Sequence, residues 1–403
     1  MTTSPSPDPR LIATGNNVRS YAQSWGRRVR HGQLGVLPVV LGLIVIAVVF
    51  QTANPNFLTP LNLTNLTLQV AATGTISVGI FLVLLLGEVD LSVGSISGVC
   101  AAVLGVLVVN QGFGTAAAIL TAVAVGIAIG LFQSLFIARL GVPAFVVTLA
   151  GLIAWQGLQL YILGGQGTIN LPTGGITELT STFLSPAVWW SLVAAIIVIN
   201  LAVQLNERRQ RRNAGLPARS LVQIALRQTL LISILAAAGI VLSQDRGVPL
   251  ALVIFTGFVV IVGIVMTRTR YGQSVYAVGG NSEAARRAGM KVQLIRTSVF
   301  VIAGMFAAIG GILAASRLFA VSQSSGSGDV LLNAIAAVVI GGTSLFGGRG
   351  TAYSALLGTL VIGSISNGMD LLGLNSSIKL MITGGVLLAA VTLDTLARRG
   401  RQA

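Results

Sequence analysis

Hydrocarbon arrives in blocks along this chain. Twelve apolar segments follow one another through 403 residues, at roughly 34–51, 67–86, 91–109, 115–138, 143–163, 186–205, 223–242, 248–266, 297–316, 331–347, 351–369 and 376–394. About 20 apolar residues cross a bilayer as a helix. Lipid offers no water to an open backbone, so such blocks must satisfy their own N–H and C=O groups as helices. The sequence therefore predicts an all-α polytopic membrane protein. Two stretches are weaker as single spans. Gly87 and Gly94 bracket an acidic break, and 331–347 is short and ends in glycines. Either can be a broken or re-entrant segment, which leaves ten full crossings.

Charge supports that layout. Only 9% of residues are charged against 54% hydrophobic, where a soluble domain carries about 25% charged residues. The formal charge is +15, yet the cations are not interleaved with aromatics on a soluble face, so nucleic acid is not the partner they indicate. They cluster between apolar blocks, as topology signals do. With twelve crossings only Arg246, Arg317 and Lys379 fall on the outer side. Both termini are then expected in the cytoplasm, as a polar tail at 1–33, a transmembrane domain at 34–394 and a short tail at 395–403. The 34–50 run starts late and lacks a small-x-small cleavage site after it, so it is expected to be an uncleaved first span. One cysteine, Cys100, and one histidine, His31, rule out an intrachain disulfide and argue against a metal site.

The longest polar interruption is 267–296, with six basic residues: Arg268, Arg270, Arg286, Arg287, Lys291 and Arg296. Within it Gly280-Asn281-Ser282-Glu283-Ala284-Ala285-Arg286 reads as a short surface helix. Asn281 or Ser282 can cap it, Glu283 suits its first turn, and Gly289 can end it in a left-handed conformation. An ordinary solvated topology loop is the plain alternative.

The pattern Glu283-Ala284-Ala285-x-x-x-Gly289 resembles the coupling-loop motif of ATP-binding-cassette importer permeases. RTRYGQSVYAVGGNSEAARRAG, LNAIAAVVIGGTSLFGGRGT and SNGMDLLG resemble the C-terminal half of the monosaccharide permeases of that superfamily, and GEVDLSVGSISG at 87–98 their N-terminal signature. The basic insert 206–219 and the extra span pair around Asp245–Pro249 are similar to the xylose branch. The resemblance implies a homodimer and an external sugar-binding protein. It also implies a cytoplasmic ATP-binding subunit that hydrolyses the ATP and docks on Gly280, Asn281, Glu283, Ala284, Ala285, Arg286 and Gly289. In one place the chain departs from the pattern. The family usually reads Glu-Leu-Asp-Ala-Ile-Ala-Ala where this chain has Leu331-Leu332-Asn333-Ala334-Ile335-Ala336-Ala337, so two acids are missing.

Candidates for the solute path are polar groups in or beside spans. Glu88, Asp90 and Ser92 lie at the acidic break; carboxylates accept paired hydrogen bonds from sugar hydroxyls, but they also suit a simple helix boundary. Trp155, Gln156 and Gln159 offer an aromatic beside amides, although Trp is common at membrane interfaces. Asn333, Asn367 and Asp370 suit either a solute or helix–helix hydrogen bonds. The two Gly-interrupted segments, GEVDLSVGSISG and IGGTSLFGGRGT, form the kind of pair that points to a midplane substrate path. The 206–219 cations are compatible with anionic lipid as well as with topology alone. No phosphate-binding loop is present, since Gly348 stands where that motif needs Lys. No catalytic constellation is present either, so the chain is expected to be a permease that binds no cofactor. The same architecture with another small solute, or an ion-coupled carrier using Glu88 and Asp90 as proton-coupling groups, are the competing expectations.

Overall fold

The computed structural model describes residues 37–218 and 220–402, so the 1–33 tail lies outside the described residues. Fifteen helices are described. In order they are α1 Leu37–Ala53, α2 Pro60–Leu85, α3 Val93–Gly105, α4 Thr115–Ser134, α5 Ala144–Leu163, α6 Glu178–Ser181, α7 Pro186–Asn213 and α8 Leu221–Leu242; then α9 Leu250–Arg268, α10 Arg270–Gly280, α11 Ser282–Arg287, α12 Val292–Leu318, α13 Gly328–Ile340, α14 Tyr353–Leu371 and α15 Ser376–Gln402. Helices α3 and α4 each run on through a π turn, Val106–Asn110 and Leu135–Arg139. Helix α15 also continues through 395–402, where the sequence predicts a tail.

Each of the twelve apolar segments contains a helix. Eight are long and apolar enough to cross a membrane. Helix α1 is 17 residues and α13 is 13, and the apolar part of α15 is only Ser376–Ala389. Helix α14 has 19 residues but carries Ser364, Asn367 and Asp370.

The chain divides into two compact units. The smaller, 184–248, is a hairpin of α7 and α8. Ser220 caps α8 by accepting from Gln223 N at 3.2 Å, and Gln228 Nε2 donates across the hairpin to Ile197 O at 3.2 Å. Gly239 leaves room for the Trp189 indole. Few of its side chains are buried, and Val198, Ile199, Leu230 and Ile234 are exposed, as a lipid-facing pair requires. The hairpin carries the basic insert read from the sequence, whereas the span pair around Asp245–Pro249 is α8 and α9, of which only α8 belongs to the hairpin.

The larger unit is built around α2, whose apolar window is 89% buried. A helix apolar on every side belongs inside a protein, and α2 packs against α9, α12, α13 and α14. Helix α12 crosses α4 along a glycine seam. A Cβ on Gly126 would stand 2.5 Å from Gly304 O, and one on Gly130 would meet Phe300 O. Close approach of this kind drives helix association where no hydrophobic effect operates between helices.

At one end of α12, Phe319 adopts a left-handed conformation (φ 54°) and the chain turns back. Strand β1, Thr168–Asn170, pairs antiparallel with β2, Ala320–Ser322, with Ile169 opposite Val321. Residues 321–327 then descend along α3: Val321 packs on Gly105, Ser325 O lies against Gly98 and Gly326 O against Gly94. Helix α13 therefore starts beside the first turns of α3. Its 13 residues span about 20 Å, short of the ~30 Å hydrocarbon core. The 331–347 segment is thus a half-length helix continued by a glycine-rich loop.

Candidate functional site

Helix α11 has the caps its sequence predicts. Asn281 Oδ1 accepts from Ala284 N at 2.9 Å. Gly289 is left-handed (φ 82°), and Gly289 N and Met290 N close the helix on Arg286 O and Ala285 O. Ala285 is buried, while Glu283 is half exposed and pairs with Arg286 at 2.6 Å and Arg287 at 3.2 Å. Ser282, Glu283, Arg286, Met290, Lys291 and Arg296 line an open cleft beside the helix. A short helix pinned at both ends, with charged side chains outward, offers a rigid docking surface.

Four segments converge behind it. Gly348 N donates to Leu85 O at 2.9 Å. Gly279 lies against Leu85 O and Gly348 N, and Gly87 against Phe346 O. Tyr276 Oη donates to Gly350 O at 2.8 Å. The two Gly-interrupted segments read from the sequence therefore meet each other, at the α11 end of the bundle. Glu88 is buried there and forms an ion pair with Arg296 at the start of α12. Burial pushes the Glu88 carboxyl above the usual carboxylate range, and the Arg296 guanidinium opposes the rise. Asp90 is buried two residues on; its Oδ1 accepts from Ser92 N at 2.8 Å and from Ser92 Oγ at 2.6 Å. Gln133 Nε2 donates to the same Ser92 Oγ at 2.7 Å.

Toward the β1–β2 end a small polar cleft opens between α3, α5 and the 323–327 turn. Ser95, Gln156, Gln159, Gln323, Ser325 and Ser327 line it, with Leu152 and Leu331. Gln159 Nε2 donates to Ser322 O and Ser325 O, both at 2.9 Å. Every polar side chain lining it is neutral, and each can both donate and accept, which matches a polyhydroxylated solute better than an ion. Its volume is about 40 Å³, enough for a water or two and too little for a sugar.

Of the sequence candidates, Gln156 and Gln159 line the cleft. Trp155 lies on the adjacent face of α5, with its ring edge-on to Phe132 at 5.9 Å. Asn333 is half-buried on α13, two residues from Leu331. Asn367 is engaged in two reciprocal amide hydrogen bonds with Asn62, at 2.7 and 3.0 Å. Asp370 pairs with Lys379 across the turn between α14 and α15. Sequence reasoning misses Ser95, Gln323, Ser325 and Ser327. The one available signal is the density of hydroxyls and amides in SQSSGS, an unusual run between two apolar helices.

Residues 62–391 match the family described as branched-chain amino acid transport system / permease component. The xylose transport system permease protein XylH of Escherichia coli K12 is 33% identical over 91% of this chain and 93% of its own length. The protein of the same name from Haemophilus influenzae is 33% identical over 89% and 96%. The ribose import permease protein RbsC of Bacillus subtilis is 31% identical over 90% and 94%. No solved structure gives a significant match. These relatives are transport permeases rather than enzymes. With a family match over most of its length and relatives above 30% identity along nearly all of it, the chain belongs to the branched-chain amino acid transport system / permease component family.

Proposed function

We propose that the chain is the membrane permease subunit of an ATP-driven importer for a monosaccharide, with xylose or a similar pentose as its solute. The observation that carries this reading is the 33% identity to XylH along nine tenths of both chains. The basic insert 206–219 and the span pair around Asp245–Pro249, α8 and α9, favour the xylose type over the ribose type, and the neutral polar cleft suits a sugar. In this reading two copies form the pathway, and a cytoplasmic ATP-binding subunit hydrolyses ATP and docks on residues 280–289. An external binding protein delivers sugar at the β1–β2 end, and both termini face the cytoplasm of a cell that carries the chain in its inner membrane. Arg208, Arg209 and Arg212, which line one concavity at the end of α7, contact anionic lipid. The chain itself holds no cofactor. Transport follows from differential stability of inward- and outward-open states, set by the partner's ATP cycle.

Labelled-xylose uptake into vesicles carrying this chain tests the reading. Uptake is expected only when the cognate ATPase, ATP and binding protein are all present. Uptake that persists without ATP and collapses with a protonophore would instead establish an ion-coupled carrier. ATP-dependent uptake of ribose but not xylose would keep the importer and replace the sugar.

A further inference from the structure

Arg296 faces two ways. It lines the cleft beside α11 together with Ser282, Glu283 and Arg286, and its side chain is about one-third exposed. It also forms an ion pair with Glu88, which is 8% exposed. The two residues belong to different elements. Arg296 is in the second turn of α12, just beyond the α11 cap, and Glu88 is in the 86–92 turn between α2 and α3. Removing one partner of a buried pair leaves an uncompensated charge, so separating the two elements carries that cost.

The 86–92 turn is in turn tied to its neighbours. Thr148 Oγ1 donates to Val89 O at 3.4 Å. Asp90 holds Ser92 by two hydrogen bonds, and Gln133 reaches the same hydroxyl. Helix α3 begins at Val93, and Ser95, in its first turn, lines the polar cleft. A displacement of Glu88 is therefore delivered to one wall of the cleft through a short, hydrogen-bonded connection.

Resting on the importer reading, we propose that the Glu88–Arg296 ion pair is the strut that carries movement of the 281–289 helix through the 86–92 turn into α3 and the polar cleft. Both are positioning residues for transport; neither touches the solute. A carboxylate serving as a solute contact would face the cleft, whereas Glu88 faces Arg296, beside α11.

The test uses the whole importer in vesicles, with xylose uptake and ATP hydrolysis measured together. Glu88→Gln and Arg296→Gln are each expected to lower the sugar-to-ATP ratio about tenfold, the size of a broken pairwise coupling. The KM for binding protein loaded with xylose should not move. The reversed pair Glu88→Arg/Arg296→Glu is expected to restore much of the ratio. The neutral pair Glu88→Gln/Arg296→Gln buries no lone charge and so should fold, yet remain uncoupled. Normal coupling in that folded neutral pair would overturn the strut, because the pair would then serve stability alone. A raised KM with an unchanged sugar-to-ATP ratio would overturn it in favour of a solute contact. Wild-type vesicles that hydrolyse no ATP and still accumulate xylose would instead overturn the importer reading, and the strut with it.

Discussion

Gly304→Leu is expected to remove folded protein from the membrane, while Gly157→Ala leaves it unchanged. Both glycines lie inside long apolar helices, α12 and α5, and sequence alone does not separate them. Their surroundings do. Any Cβ on Gly304 meets the Gly126 carbonyl oxygen, and Gly126 in turn sits 2.8 Å, measured from its own would-be Cβ, from Ala308 Cβ. Backbone cannot move aside as a flexible side chain can. Four more carbons at Gly304 must push α4 and α12 apart, which also lifts Gly130 from Phe300. Overpacking of a close-packed interior costs about 1–3 kcal/mol where the neighbours can shift. Here both neighbours are helix backbones, so the loss should sit at the top of that range or above it. Gly157 has no atom within 4 Å of a built Cβ, and alanine is the better helix former. Thermal melts and monodispersity in detergent check the pair. A Gly304→Leu protein that melts with the wild type would show that the seam does not hold α4 to α12.

The membrane architecture is legible in the sequence because its signals are local and repeated. Apolar blocks, basic interruptions and the caps at Asn281 and Gly289 each arise from neighbouring residues, and each has its counterpart in the structure. The features that are not legible depend on partners distant in sequence. Glu88 and Asp90 look alike as two acids within three residues, yet one is paired with Arg296, more than 200 residues away, and the other with its neighbour Ser92. Asn367 and Asp370 share a helix face but have different partners, Asn62 and Lys379. The path candidates Gln156 and Trp155 adjoin in sequence, and a rotation of about 100° along α5 is enough to put one in the cleft and the other against Phe132. The 323–327 turn reads as a connection because it is polar. It lines the cleft because three glycines, at 94, 98 and 326, let it lie against the backbone of α3.

The absence of two acids in Leu331-Leu332-Asn333 also acquires a location. Leu331 stands on the wall of the neutral cleft, with Asn333 two residues further along α13. An acid at 331 would place a carboxylate among Gln156, Gln159, Ser325 and Ser327, where it would accept strongly from solute hydroxyls. Leu331→Glu is therefore expected to alter which sugars compete for uptake, without changing ATP dependence. A competition profile identical to that of the wild type would remove this wall from sugar choice.

Glu283→Arg and Gly289→Asp are each expected to abolish uptake while leaving the protein inserted and the external binding protein's affinity for sugar intact. Stability should barely register the first change, and the second should cost about 1–2 kcal/mol at most, because Gly289 has a left-handed backbone. The Glu283 ion pairs with Arg286 and Arg287 are exposed, and exposed pairs of this kind contribute about 0.3–0.5 kcal/mol. Nothing lies within 4 Å of a Cβ built at Gly289, so Asp fits in space, and Asp tolerates a left-handed backbone better than most residues. Docking is affected in both cases. Reversing Glu283 leaves three adjacent cations at 283, 286 and 287 on the outward face of α11. The Gly289→Asp change sets a carboxylate at the negative end of the α11 dipole, at the cap that fixes the angle between α11 and α12. Asn281→Ala gives a graded comparison, since loss of that cap costs about 1 kcal/mol and frays α11 without changing its charge; uptake should fall but persist. Co-purification of the ATPase with each variant separates lost docking from lost transmission. If Glu283→Arg and Gly289→Asp both keep wild-type uptake, the 281–289 helix is a topology loop after all, and the partner must contact the chain elsewhere.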